Sequence, residues 1–319
     1  MNRRILTPAV LAATALLLTS CASEPASSDA DDSGGDGVTF AHPTIDGLEI
    51  GFDEQPESLV MDCYAYGSLH EYGLEPDALF GFECDSPFVM GDADVSGIPT
   101  VGKDGEINVE KLAELRPDAI IGQGDADGWS WFDEDVNAQV TRVADFVPLP
   151  SADDIDDRIS ATRELAAFLG ADVDTDQIQQ DDADLEAAKQ SFSAAIDDAD
   201  LRIMLASPAK EMLYTGVGFA QATLLEELGA TIVGPDAPET GNPWGQVAWE
   251  DASSYDADLI LVESYSDDYA FTADLWEALP AVDADQIGTW SSKGAMTSRT
   301  YADWLTGLTE LVESSSRVA

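Results

Sequence analysis

Short apolar runs alternate with segments of helical period along most of this chain. Leu59, Val60 and Met61 follow Ser58 as a first buried strand, and a short amphipathic stretch then carries the chain to Leu74. Residues 78–82 read as a second strand. Val109, Leu112 and Ala113 share one side of a helix over 109–115. Pro117 ends that helix, and residues 119–122 follow as a third buried run. Continuous apolar strands separated by helices predict sheets that are mainly parallel and covered on both faces.

The middle of the chain is helical. Ile155, Ile159, Thr162, Ala166 and Leu169 form one apolar stripe, and Leu185, Ala188, Phe192, Ala195 and Ile196 form a second. Both keep the three-and-four spacing of a helix with one buried face. Beyond them the alternation resumes. Residues 202–205 and 259–262 read as strands, 222–228 as a helix stopped by Gly229, and 304–312 as a final helix. No internal sequence repeat stands out. The pattern predicts an α/β fold with two lobes and a ligand cleft between them. The N-terminal lobe takes 45–150, a helical segment 151–199, and the C-terminal lobe 200–319.

The first residues belong to neither lobe. Arg3 and Arg4 precede an apolar run over 9–18, and Cys21 follows directly. That run is too short to span a bilayer and sits in the order of an export signal, placed at 1–20. Residues 21–44 are rich in Ser, Asp, Gly, Ala and Pro and bury too little to offset the entropy of ordering, so they read as a flexible tether. No later stretch is long and apolar enough to cross a membrane.

Charge then narrows the function. The chain has 63 acidic residues against 14 Lys plus Arg, for a net charge of −49. Nucleic acid needs a basic face, and so does adsorption to anionic lipid; neither is available. Asp runs such as Asp153-Asp154 and Asp156-Asp157 lack the twelve-residue spacing of a calcium loop. A solvated acidic surface suited to salty surroundings is the remaining reading. With two His, His42 and His70, no imidazole cluster for a bare transition metal can form. There is no Gly-rich phosphate loop and no Gly-x-Ser-x-Gly elbow, so an enzyme is the weaker class.

The residues 18–21, Leu-Thr-Ser-Cys, resemble the lipobox of bacterial lipoproteins. That implies a diacylglyceryl anchor on Cys21 and cleavage just before it. Three further segments resemble signatures of the siderophore, haem and cobalamin binding proteins of ABC importers. The first is the stretch 108–121, with Asn108, Glu110, Leu112, Leu115, Pro117, Asp118 and Ile120 at the signature positions. The second is Trp249-Glu250-Asp251-Ala252 leading to Asp256-Ala257-Asp258-Leu259-Ile260, although Ala248 stands where the family has Ser. The third is Trp276 followed by Leu279-Pro280-Ala281-Val282.

The resemblance implies two α/β lobes joined by a single long α-helix, for which 184–196 is the candidate. It implies that Glu110 and Glu250 dock on the permease dimer of an ABC importer. A carboxylate near a helix start is favoured by the dipole in any case. It also implies a monomeric protein outside the cytoplasm, held to the cell membrane by its lipid. The ligand would be a ferric siderophore, with haem or cobalamin as alternatives, and there would be no cofactor and no resident metal.

Ligands of open α/β sheets sit at the carboxyl ends of the strands. The segments there carry Tyr64, Trp129, Trp131 and Phe132 in the first lobe, and Tyr214, Trp244, Tyr265, Tyr269 and Trp290 in the second. Trp129 and Trp131 lie among Gly, Asp and Ser, outside any periodic pattern, where aromatics more often bind than pack. Trp244 aligns with a ligand-contacting Trp of the resembled family. Lys103, Lys210, Lys293 and Arg299 are the cations available to an anionic chelate. With Cys21 lipidated, Cys63 and Cys84 remain as a pair. They fall near the ends of two strands expected to be neighbours, which fits a disulfide; two separate buried thiols are the other reading.

The charge yields a first prediction. Self-repulsion of the acidic surface weakens the fold at low salt and is screened at high salt. The unfolding temperature is expected to rise with sodium chloride well into the molar range. A flat or falling curve in a thermal scan would remove salt adaptation as the reason for this composition.

Overall fold

The computed structural model describes residues 37–237, 241–263 and 273–319. Cys21, Tyr265 and Tyr269 lie outside these residues.

Four parallel strands make the N-terminal sheet: β1 (Leu59–Asp62), β2 (Ala78–Phe80), β3 (Ala119–Gly122) and β4 (Asp145–Pro148), in the order β4-β3-β1-β2. Alternate residues serve opposite faces. Met61, Leu79, Ile121 and Val147 enter one core, while Val60, Phe80, Ile120 and Phe146 enter the other. With both faces covered, apolar alternation along the strand disappears, which is why these strands read as unbroken runs.

The C-terminal sheet has six strands: β5 (Arg202–Pro208), β6 (Leu213–Thr215), β7 (Thr231–Ile232), β8 (Gly245–Val247), β9 (Leu259–Glu263) and β10 (Ile287–Trp290). Their order is β8-β6-β5-β9-β10, with β7 also paired to β5. β5, β7, β9 and β10 pair in parallel, while β6 and β8 add an antiparallel edge.

The helical middle resolves into α3 (Ile155–Phe168) and the 24-residue α4 (Asp176–Ala199), after α1 (Cys63–Leu69) and α2 (Val109–Leu115) in the first lobe. α4 is about 36 Å long at 1.5 Å per residue. Ile178 near its start joins the N-terminal core, and Leu185, Ala188, Phe192 and Ile196 join the C-terminal core. The bridge therefore begins earlier than the expected 184–196. Thr175 caps it, accepting from the Ile178 N–H, and most of the expected span already belongs to the second lobe. α3 also reaches both cores, through Ile155 and Ile159 at one end and Leu165 and Ala166 at the other. The last helix, α5 (Ser298–Ser314), packs along α4 and starts before the expected Trp304 because Thr297 caps it. In α2 the buried side runs through Leu112 with Val109 and Leu115 half-buried. Ala113, expected on that side, is exposed.

Two aspartates set how the parallel strands begin. Asp118, just before β3, accepts from the Glu57 and Ser58 N–H groups at the head of β1, at 3.0 and 2.8 Å. Asp258, just before β9, accepts from the Arg202 N–H at the head of β5 at 3.0 Å. Each returns its own N–H to the same strand, Asp118 to Ser58 O and Asp258 to Arg202 O. The resemblance extends over the whole segment. Arg116 and Asp256, which end the two preceding helices, are both left-handed, at φ 52° and 50°. Glu110 and Glu250 are both second residues of those helices, α2 and the 3₁₀ helix Trp249–Tyr255. The two lobes thus repeat one helix–turn–strand unit, although no internal repeat is visible in the sequence.

The clamps differ in depth. Asp258 is fully buried and also accepts from Arg202 Nε and from the Val318 and Ala319 N–H groups, which fastens the C-terminal tail. Burial raises its pKa, but Arg202 and the N–H donors outweigh that and hold the carboxyl at about 2. Asp118 is exposed. Asp258→Ala leaves the Arg202, Val318 and Ala319 backbone N–H groups without their acceptor, while Asp256 and the Ala319 carbonyl still hold the guanidinium, and is expected to cost about 3 kcal/mol. Asp118→Ala is expected to cost about 1 kcal/mol. Because the folded carboxyl titrates below its ordinary value, the Asp258 contribution is present above about pH 4 and fades as pH falls towards 2. Urea midpoints of both variants at pH 7 and pH 3 check the ranking and the pH trend.

Candidate functional site

At the carboxyl end of the N-terminal sheet, β1 stops at Asp62, whose side chain caps α1 by accepting from the Ala65 N–H at 2.6 Å. Its other oxygen accepts from the Gln123 N–H and from Trp129 Nε1, each at 2.7 Å. Gly122 makes this possible. A Cβ there would stand 2.9 Å from the Asp62 carboxylate and 3.0 Å from the Trp129 ring. Burial raises the Asp62 pKa to about 6 against the opposing pull of its N–H donors.

Trp129 is therefore anchored in the core, 1% exposed, against Phe80, Phe82 and Phe132. Its expected place on the cleft surface is corrected by a buried acceptor waiting for the indole N–H. Trp131 is the exposed member of the pair, at 41%. Its ring lies 4.9 Å from Trp129, 5.5 Å from Phe82 and 5.9 Å from Tyr64. Tyr64 itself is buried in α1, and Phe132 is buried beside Trp129. Cys63 and Cys84 form a disulfide with Cα atoms 5.2 Å apart. It ties the start of α1 to the segment after β2, which carries Phe82.

The second lobe has its own aromatic group. Trp244 lies 4.7 Å from Phe219, 5.7 Å from Trp290 and 6.3 Å from Tyr214. Trp290 is buried with its indole N–H on Ala206 O, while Trp244 and Tyr214 are half-buried. Phe219 was not expected at this site. It sits directly ahead of a helix-forming run, where a cap position gives no sequence signal of its aromatic role.

The four cations have different tasks. Arg299 spans the lobes, its guanidinium 3.0 Å from Glu71 and 3.2 Å from Asp92, and His70 Nε2 lies 3.0 Å from the same Asp92. An anionic ligand would have to compete with those carboxylates for Arg299. Lys293 is half-buried. Burial lowers its pKa, opposed by Glu263 of its own lobe and Glu83 of the other. Lys103 is exposed at the rim of a small hollow with Cys84 and Asp85, and Lys210 is exposed. His70, Glu71 and Asp92 could together offer metal ligands. Arg299 already neutralises that cluster, so the donor set does not suit a second cation.

Glu110 and Glu250 are both exposed. Asn108 caps α2 by accepting from the Lys111 N–H, whereas Ala248 at the matching position offers no acceptor and the segment after it runs as a 3₁₀ helix. The third signature is structural: Leu279 and Ala281 are core residues, with Trp276 packed on Trp249.

Residues 82–293 match the periplasmic binding protein family. The chain belongs to that family. No curated relative matches the sequence. Among solved structures, DesE, a ferric-siderophore receptor protein from Streptomyces coelicolor, is 25% identical with a TM-score of 0.77, covering 88% of this chain and 99% of that one. FhuD from Vibrio cholerae, solved with Fe3+-Desferal, is 22% identical with a TM-score of 0.62, covering 82% and 98%. SirA from Staphylococcus aureus, solved with staphyloferrin B, is 16% identical with a TM-score of 0.61, covering 86% and 98%. A periplasmic binding protein captures a solute outside the cytoplasm and does not turn it over. The fold is the two-lobed α/β fold of these siderophore receptors, and no described helix is long and apolar enough to cross a membrane.

The Asp62 cradle gives a pH prediction. A carboxyl whose folded pKa lies above its unfolded value contributes stability that is fully present below about pH 4 and lost as pH rises through about 6. Asp62→Ala leaves three N–H donors unpaired, an expected loss of about 3 kcal/mol at pH 4. The gap in urea midpoint between wild type and variant is expected to shrink between pH 4 and 7. A gap that widens with pH would mean the carboxyl is ionised throughout.

Proposed function

We propose that this chain is a lipoprotein that captures a ferric siderophore in the cleft and delivers it to the permease dimer of an ABC importer. The observation that carries the reading is the aromatic surface at the strand ends: Trp131 exposed over Phe82 and Tyr64, in a fold shared with a ferric-siderophore receptor. Such rings offer flat apolar area to the hydrocarbon and ring parts of a chelate. Lys103, Lys293 and Lys210 supply positive charge, with Tyr214, Trp244 and Trp290 as the second wall. Glu110 and Glu250 are the docking carboxylates, and their equivalent places in the repeated unit support pairing with two equivalent permease subunits. The proposal includes a signal peptide at 1–20, a lipid on Cys21, a tether that keeps from 21–44 only the residues before the strand Val38–Ala41, whose Phe40 belongs to the N-terminal core, lobes at 45–150 and 200–319 flanking the helical 151–199, and a monomer.

Titration with ferric hydroxamate, catecholate and carboxylate chelates, haem and cobalamin, followed by tryptophan fluorescence, tests the ligand. One ferric chelate is expected to quench. Trp131→Ala is expected to weaken that binding by about tenfold, the loss of one stacked aromatic. Glu110→Ala and Glu250→Ala are expected to leave affinity unchanged and to impair uptake in cells. Indifference to every ferric chelate would overturn the ligand class, and a tenfold affinity loss in either Glu variant would overturn the docking assignment.

A further inference from the structure

Two cations stand at the boundary between the lobes, and carboxylates outnumber each of them. Arg299 faces Glu71 and Asp92 of the opposite lobe, at 3.0 and 3.2 Å. His70 also touches Asp92, and a protonated imidazole would bring this group to neutrality without a surplus of positive charge. Lys293 is half-buried just after β10, at the carboxyl end of the C-terminal sheet. Its charge is acted on by Glu263 of its own lobe and by Glu83 of the other. Lys103 and Lys210 are exposed, where water and salt screen them.

Both carboxylates around Lys293 are built into the fold. Glu263 ends β9 and is 5% exposed. The hydroxyl of Ser292, the residue before Lys293, donates to Glu263 Oε1. Glu83 lies between Phe82, which packs against Trp131, and Cys84, which the disulfide holds. Its backbone is left-handed, at φ 54°. A residue other than glycine keeps that conformation only where its surroundings fix it, and such places cluster at functional sites.

We infer that the cleft selects a ferric chelate without net negative charge, a tris-hydroxamate complex, and that Glu263 and Glu83 turn anionic chelates away. The inference deepens siderophore capture and rests on it. A chelate carries the charge that its donor groups leave on the iron. Three singly charged hydroxamates cancel the charge of ferric iron. Three doubly charged catecholates leave the complex triply negative, and hydroxycarboxylate chelates are anionic as well. An anion entering between the lobes sheds water and meets a surplus of carboxylate in a medium less polar than water. A charge of the wrong sign thus rejects a competitor that shape alone would admit. Lys293 does not reverse this, because carboxylates from both lobes already balance it.

Two ferric chelates test this on the whole folded chain by titration calorimetry at low salt. One is a linear tris-hydroxamate acetylated at its terminal amine, which is neutral. The other is a tris-catecholate, which is triply negative. The wild type is expected to bind the neutral chelate about tenfold or more tightly. Glu263→Gln is expected to narrow that ratio by about fivefold, and so is Glu83→Gln, which leaves the Ser292 bond in place. The ratio is the readout because damage to the fold weakens both chelates alike, whereas a lost negative charge acts on the anion. A tris-catecholate bound by the wild type as tightly as the neutral chelate, or more tightly, overturns the inference. So does a ratio that moves in neither variant, or a tris-catecholate that stays unbound in both, because shape and not charge then excludes it. Siderophore capture survives each of these results as long as one ferric chelate binds. Binding of no ferric chelate overturns siderophore capture itself, and the charge filter with it.

Discussion

Parallel strands begin with backbone N–H groups that the ladder does not reach, and in both lobes an aspartate heading the neighbouring strand supplies the acceptor. Asp118 does this for β1 and Asp258 for β5. Register follows, because a strand clamped at its first residue has nowhere to slip. Once register is fixed, so are the carboxyl ends: β1 must stop at Asp62, where the chain turns into α1, and β3 must stop at Gly122. Asp62 can then collect N–H donors from α1, from residue 123 and from Trp129 in one place. The aromatic surface is thus a consequence two steps removed from a clamp at the opposite edge of the sheet.

The repeated unit explains what was legible in the sequence and what was not. Buried strands and striped helices are local patterns, and they marked β1, β3, β5, β9 and the two middle helices. The signatures around Glu110 and Glu250 were legible as resemblance to a family. Their equivalence to each other was not, since the shared identities are few: a Glu early in a helix and an Asp before a strand. The rest of the unit is held by interchangeable apolar residues, such as Leu112 against Ala252, and by left-handed turns that Arg116 and Asp256 fill equally well. Backbone geometry repeats where side chains do not.

The site was harder to read for a different reason. Trp129 and Trp131 sit two residues apart in the same polar surroundings, and nothing local separates an anchor from a contact. The separation comes from Asp62, 67 residues away in the chain, which takes the indole N–H of one and not the other. Arg299 is a similar case. As a lone cation in an acidic chain it suggested an anion site, but Glu71 and Asp92, contributed by the other lobe, already hold it. Long-range partners of this kind leave no trace in spacing.

Part of the acidity is architectural rather than solvating. Asp62, Asp133 and Asp154 each cap a helix by accepting a backbone N–H, a reach that suits the short Asp side chain and not Glu. The few cations are placed where they join elements: Arg163 pairs with Asp182 between α3 and α4, Arg202 with Asp258 between strands, and Arg299 with Glu71 across the lobes. Salt therefore acts on two terms of opposite sign. It screens the attraction in these pairs and the repulsion among the remaining acids. The Asp258 pair is buried and little affected, and half-exposed pairs contribute little to begin with. Repulsion is summed over a net charge of −49 and over many separations, including those longer than a Debye length at low salt. The second term is the larger one, so the same ions that loosen the Arg299 contact between the lobes tighten the fold on which both lobes depend.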